Sequence, residues 1–151
     1  MSTAGSVQWS VRQRWAAVAQ GLQQDALLYT ALRDLLQQQF HAALRHSATD
    51  MEQVALQITG VVQKLDVTRQ ARSDHVRALL PDGAPLSMRA ALAQLQPPLQ
   101  QQLGQLWAQL EAQVLHCKEL NVRNCQLIME QAELMRTVIV GNVPSDIYAP
   151  L

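Results

Sequence analysis

The chain has 151 residues, with 12 Lys and Arg against 12 Asp and Glu, which is enough for one domain with a hydrophobic core. The formal net charge of zero argues against binding to a nucleic-acid backbone, because each neutralised phosphate needs a Lys or Arg. Aromatic residues make up only 4%, and Ala, Leu and Gln are abundant, so the composition predicts an all-α protein.

Neither a secretory signal nor a membrane anchor is expected from the sequence. The first residues show no basic segment followed by an apolar run. No apolar stretch approaches the ~18 residues that span a bilayer. Cys117 and Cys125 fall about 12 Å apart along one predicted helix and cannot bridge each other. These features predict a soluble protein of a reducing compartment.

Apolar residues recur every three or four positions in three long stretches, which predicts three long amphipathic helices. Ser10 with Gln13 fits a capping box at the start of the first helix, and Thr49 with Glu52 fits one at the second. A stretch rich in Pro and Gly ends the second helix and precedes a short third one. The predicted helices span about 11–46, 50–80, 88–95 and 98–140, followed by a flexible tail over 142–151.

The last predicted helix is too long for its neighbours to cover. Its 43 residues give ~65 Å at ~1.5 Å per residue, whereas a compact domain of this size is ~40 Å across. Three long helices joined by short loops pack best as an elongated antiparallel bundle. We therefore expect the last helix to extend beyond the others.

The apolar stripe of the last helix becomes polar in its C-terminal half. One heptad position contains Leu106, Leu120, Leu127 and Leu134. Another contains Leu103, Leu110, Cys117, Asn124, Gln131 and Val138. Amides in such a stripe either fix the register between helices or belong to a reversible surface that binds a partner helix. The heptad pattern leaves both interpretations open.

Sequence signatures of catalysis and metal binding are missing. No two His residues have the i, i+4 spacing of a helical metal site, and the chain has no Gly-rich phosphate loop or nucleophile elbow. His116 and Cys117 are adjacent, so they point about 100° apart on a helix and cannot form a nucleophilic pair. We expect no enzyme activity, metal, cofactor or small-molecule substrate.

Charged and aromatic residues of the predicted helices are expected to have structural roles rather than to bind a ligand. Arg72 lies in a run of alternating Arg and Asp residues, which predicts an exposed face of mixed charge. Trp15 and Trp107 lie near apolar stripes, so we expect them to pack in the core rather than hold a ligand.

Residues 119–128 of the last helix, Glu-Leu-Asn-Val-Arg-Asn-Cys-Gln-Leu-Ile, resemble the L-N-x-x-N-x-x-L-(L/I) segment of FlgN-type flagellar export chaperones. Those proteins are small cytoplasmic helical bundles with a Pro/Gly-containing break, a long last helix and a short tail. The resemblance implies a chaperone of the flagellar type III secretion pathway. Such a chaperone binds the C-terminal helical regions of the hook–filament junction proteins, prevents their premature assembly and delivers them to the export apparatus.

The resemblance also implies two sites on this chain. Tyr148 in the tail is expected to contact the export apparatus. The expected cargo-binding residues are Leu120, Asn121, Asn124, Leu127, Ile128, Gln131, Leu134, Met135 and Val138. The alternative function is a self-associating helical scaffold. Heptads alone do not exclude pairing of the last helix with its own copy, so the sequence also allows a homodimer.

Overall fold

The computed structural model describes residues 8–141 as four helices, three of them long. The helices are α1 (Val11–Leu44), α2 (Ala48–Leu79), α3 (Met88–Leu92) and α4 (Pro97–Gly141). The predicted all-α bundle of three long helices and one short helix is confirmed. The predicted tail, 142–151, lies outside the described residues. None of the helices within residues 8–141 is both long and apolar enough to cross a membrane.

Side-chain caps explain where the first two helices begin. The predicted capping box of α1 is present: Ser10 Oγ accepts from the Gln13 backbone N–H at 3.0 Å, and Gln13 Oε1 accepts from the Ser10 N–H at 2.9 Å. For α2 the predicted cap at Thr49 is wrong. Ser47 caps this helix instead, accepting from the Asp50 N–H at 3.4 Å, so α2 begins two residues earlier than expected.

The α1–α2 hairpin closes through a left-handed residue, His46, whose φ is +56°. The backbone N–H of His46 donates to the Ala43 carbonyl, and that of Ser47 donates to the Ala42 carbonyl, both at 3.1 Å. These two bonds form a Schellman motif, in which glycine is the usual left-handed residue. The motif ends α1 abruptly and turns the chain into α2.

The long helices run up, down and up. α1 and α2 are antiparallel, whereas α4 runs parallel to α1, with 87 or 88 residues between each donor side chain of α4 and the α1 carbonyl that accepts from it. α1 packs against both of the other long helices. Within residues 8–141, no Cα atom of α2 lies within 8 Å of one in α4, so these two helices meet only through side chains.

Two apolar clusters join the three long helices. One contains Trp15, Val18, Leu22, Val76, Leu80, Met88, Ala91, Leu92, Leu103 and Leu110, with Trp107 packed against it. The other, nearer the hairpin, contains Leu32, Leu36, Leu65, Cys117 and Leu120. Trp15 and Trp107 are therefore packing residues, as the apolar stripes predict.

Arg72 does not belong to the exposed charged face that its neighbours in the sequence suggest. Its Nη1 donates to Asp25 Oδ2 on α1 at 2.6 Å, and only 13% of its side chain is exposed. Its guanidinium carbon also lies 5.7 Å from the ring centre of Trp107 on α4. Removing one partner of such a buried pair typically costs about 3–5 kcal/mol, so this cluster specifies how all three helices meet.

We predict that His46→Gly raises the free energy of unfolding by about 0.5–1 kcal/mol. Glycine adopts the left-handed conformation without the steric cost that histidine carries, and this gain exceeds its larger loss of backbone entropy. Urea denaturation followed by circular dichroism measures the change. His116→Gly, at an exposed position inside α4, is the matched control and should lower stability by about 1 kcal/mol. A loss of stability in both variants would contradict the assignment.

Candidate functional site

The C-terminal end of α4 projects beyond the helix with which it pairs. At the offset of 88 residues, the end of α1 at Leu44 lies level with residue 132 of α4, which continues to Gly141. Residues 132–140 are all exposed, and none belongs to a core cluster within the described part of the chain. At ~1.5 Å per residue, this free end is ~13 Å long. The expectation of an overhanging last helix is therefore met.

Polar side chains on the inner face of α4 bind the backbone of α1. The donor–acceptor pairs are Gln113 to the Ala26 carbonyl at 3.1 Å, Cys117 to Tyr29 at 3.7 Å, Asn124 to Leu36 at 2.7 Å, and Gln131 to Ala43 at 2.9 Å. A carbonyl oxygen has two lone pairs, so these bonds add to those that α1 makes within itself. The polar heptad positions of α4 thus hold it in register with α1.

Asn124 is the most enclosed of the predicted cargo residues. Besides its bond to α1, its amide donates to Gln39 Oε1 at 2.9 Å and its oxygen accepts from Arg123 at 3.2 Å. The Arg123 guanidinium carbon lies 3.8 Å from the ring centre of Phe40. This geometry favours the register interpretation for Asn124. Leu120 is also buried, so the structure places both side chains in the seam with α1 and not on an open surface.

The other predicted cargo residues differ in their exposure. Asn121 is exposed, whereas Leu127, Ile128 and Gln131 are half-buried near the end of α1. Beyond that end, exposed fractions are 66% for Leu134, 58% for Met135 and 49% for Val138. Tyr148, the predicted contact for the export apparatus, lies outside the described residues.

Ile139 is one of three exposed apolar residues of this region, with Met129 and Val140, that are missing from the sequence-based prediction. Ile139 lies one turn after Met135, and the i, i+4 spacing is the signal that could have found it. We define the terminal apolar face as Leu127, Ile128, Leu134, Met135, Val138 and Ile139. At 100° per residue these side chains lie within about 140° of the helix circumference, on the side that packs against α1 further back. The face therefore continues the core stripe beyond the core.

The two thiols lie in contrasting environments. Cys117 is buried, and burial raises the pKa of its thiol, although Arg33 lowers that pKa to a smaller extent. Cys125 is exposed. A raised pKa disfavours the thiolate, so Cys117 acts as a packing residue rather than a nucleophile. Within residues 8–141, no group of three or more His, Cys, Asp or Glu side chains is placed to hold a metal ion.

Comparison with known proteins decides the family. A family model described as FlgN protein matches residues 15–139, which is most of the chain. The chain belongs to the FlgN family. No curated protein and no solved structure gives a significant match. The resemblance noted at residues 119–128 is thereby confirmed at the level of the family.

FlgN proteins are flagellar export chaperones rather than enzymes. The matched region includes every predicted cargo residue and ends at Ile139, so it contains the whole terminal apolar face. It does not include Tyr148. In this FlgN protein, therefore, the exposed end of α4 belongs to the part of the chain that is shared with the family.

The contrast between the thiols gives a prediction for the native protein. Cys125 should react with an aromatic disulfide reagent at the rate of a free thiol, whereas Cys117 should react only as the protein unfolds. Absorbance of the released thiolate measures both rates. Cys117→Ser should leave one fast thiol, and Cys125→Ser should leave one slow thiol. Two fast phases in the native protein would show that the seam around Cys117 is open.

Proposed function

We propose that this FlgN protein binds amphipathic helices of exported flagellar proteins on the terminal apolar face of α4. The proposed cargo is the C-terminal helical region of the hook–filament junction proteins. Binding in the cytoplasm would cover segments that otherwise associate prematurely, and the complex would then be delivered to the type III export apparatus. The observation that carries the proposal is the continuation of the core-facing stripe past the end of α1.

A helix is the form of cargo that this surface suits best. The terminal apolar face is a narrow stripe on a helix, and the same stripe pairs with α1 over the rest of its length. A cargo helix would therefore use the same packing geometry as α1, with its apolar side chains against α4. Adaptable residues such as Met135 accommodate more than one cargo sequence.

The expected affinity is moderate. Full burial of an exposed Leu, Met, Val or Ile side chain contributes about 1.5–3 kcal/mol. Association and the ordering of a cargo segment that is disordered when free offset a large part of that gain. A surface with only a few such residues therefore supports binding that is reversible, as delivery to an export apparatus requires.

The alternative function, a self-associating scaffold, would use the same face. Sedimentation of the purified protein separates the two functions. A scaffold stays oligomeric at low micromolar concentration, whereas a chaperone changes its sedimentation when cargo is added.

We predict that Leu134→Asp combined with Met135→Asp lowers the affinity for cargo about 100-fold, because two contact side chains become charged. Titration calorimetry with the purified C-terminal helical segment of the junction proteins measures this change. Leu56→Asp combined with Val67→Asp on α2 is the matched control, since those side chains are 70% and 68% exposed. The control should bind like the wild type. Equal binding by both double variants would place the cargo site elsewhere.

The proposed contact of Tyr148 with the export apparatus rests on the family resemblance. We expect Tyr148→Ala to leave cargo affinity within about twofold of the wild type, since Tyr148 is not part of the terminal apolar face, while motility is lost. Calorimetry and swimming assays test the two halves of this expectation. Retained motility after deletion of residues 142–151 would refute the role of the tail.

A further inference from the structure

Gln131 makes the last hydrogen bond between α4 and α1 in the described residues. Its Nε2 donates to the Ala43 carbonyl at 2.9 Å. Ala43 lies in the last turn of α1, where carbonyl groups have no partner within the helix. The same oxygen also accepts from the His46 backbone N–H at 3.1 Å. Gln131 thus caps the C-terminus of α1 from a different helix.

The hydrogen bond from Gln131 to Ala43 lies directly before the exposed part of the terminal apolar face. Leu134 follows Gln131 by less than one turn and Val138 by about two turns. The last buried apolar side chain of α4 is Leu120, and the later Leu127 and Ile128 are only half-buried. Beyond Leu120, the bonds from Asn124 and Gln131 are the direct hydrogen bonds between the two helices in the described residues. They therefore fix the rotation of α4 about its axis near the end of α1.

We propose that Gln131 is a positioning residue for cargo. By capping α1, it orients the terminal apolar face so that a bound helix lies end to end with α1 along the same side of α4. This inference rests on the proposed function, because it assigns a cause to the orientation of that surface. Gln131 itself need not touch the cargo: its action passes through the rotation and order of the last turns of α4.

Three variants of the full chain test the proposal. Gln131→Met keeps the length of the side chain and removes the donor. Gln131→Lys keeps a donor and places a positive charge at the C-terminus of α1, where it is favourable. Gln126→Met makes the first change at an exposed position of the same helix and serves as the control.

The affinity for the C-terminal helical segment of the junction proteins is the first measurement. We expect Gln131→Met to lower it about fivefold, which corresponds to the net contribution of one hydrogen bond. Gln131→Lys and Gln126→Met should remain within about twofold of the wild type.

Hydrogen exchange is the second measurement. In Gln131→Met, amides of residues 124–140 should exchange faster while those of residues 103–117 stay unchanged, because the lost contact is local.

Other outcomes overturn the inference in distinguishable ways. If Gln131→Met binds normally while the Leu134 and Met135 double variant loses affinity, Gln131 has no positioning role and the proposed function stands. If neither variant changes the affinity, the proposed function fails as well. If Gln131→Met raises exchange throughout the bundle and lowers the melting temperature, the residue is merely structural. Equal losses in the Met and Lys variants would exclude the donor as the cause.

Discussion

The parallel register of α1 and α4 is the constraint on which the candidate site depends. Amide and thiol donors on α4 meet carbonyl oxygens of α1 that lie 87 or 88 positions earlier in the chain, and Cys117, Asn124 and Gln131 follow one another at intervals of seven residues. α1 has 34 residues and α4 has 45, and this register leaves nine of the eleven extra residues of α4 at its C-terminal end. The Schellman motif at His46 ends α1 abruptly, and α2 then runs back along the bundle, so no part of α1 accompanies the last residues of α4. The free end of α4 therefore follows from helix lengths and register, without any special local structure.

A single stripe of α4 has three physical roles along its length. In its first half, Leu103 and Leu110 are buried in the core and stabilise the bundle through apolar burial, the dominant favourable term in folding. In the middle, Asn124 and Gln131 contribute only about 1 kcal/mol per hydrogen bond but define the alignment of the helices. At the end, side chains such as Val138 continue the stripe as exposed residues beyond the end of α1. Fewer apolar side chains are therefore buried in the second half of α4 than in the first.

Helix positions could be predicted from the sequence because capping residues, Pro and Gly mark most of the boundaries. The error at α2 has a local cause: a left-handed histidine is rare, so the turn that allows Ser47 to cap the helix leaves no clear sequence signal. The prediction that Arg72 belongs to an exposed charged face failed because its ion-pair partner, Asp25, lies 47 residues earlier in the sequence. The stripe that contains the candidate site was also predictable from heptads. Its division into buried and exposed parts was not, because Asn124 and Val138 occupy the same heptad position and differ only in whether α1 reaches them.

The size of the free end bears on what it can bind. Stable coiled coils are typically sustained over about three to four heptads, whereas residues 132–140 make little more than one. Pairing of two such ends would bury a short seam, and the exposed ion pair between Glu133 and Arg136 lies beside it, not within it. A partner helix that extends past the free end can also contact the half-buried Leu127 and Ile128 near the end of α1. The shortness of the free end therefore favours a partner that also uses the adjoining end of the bundle over pairing through the free end alone.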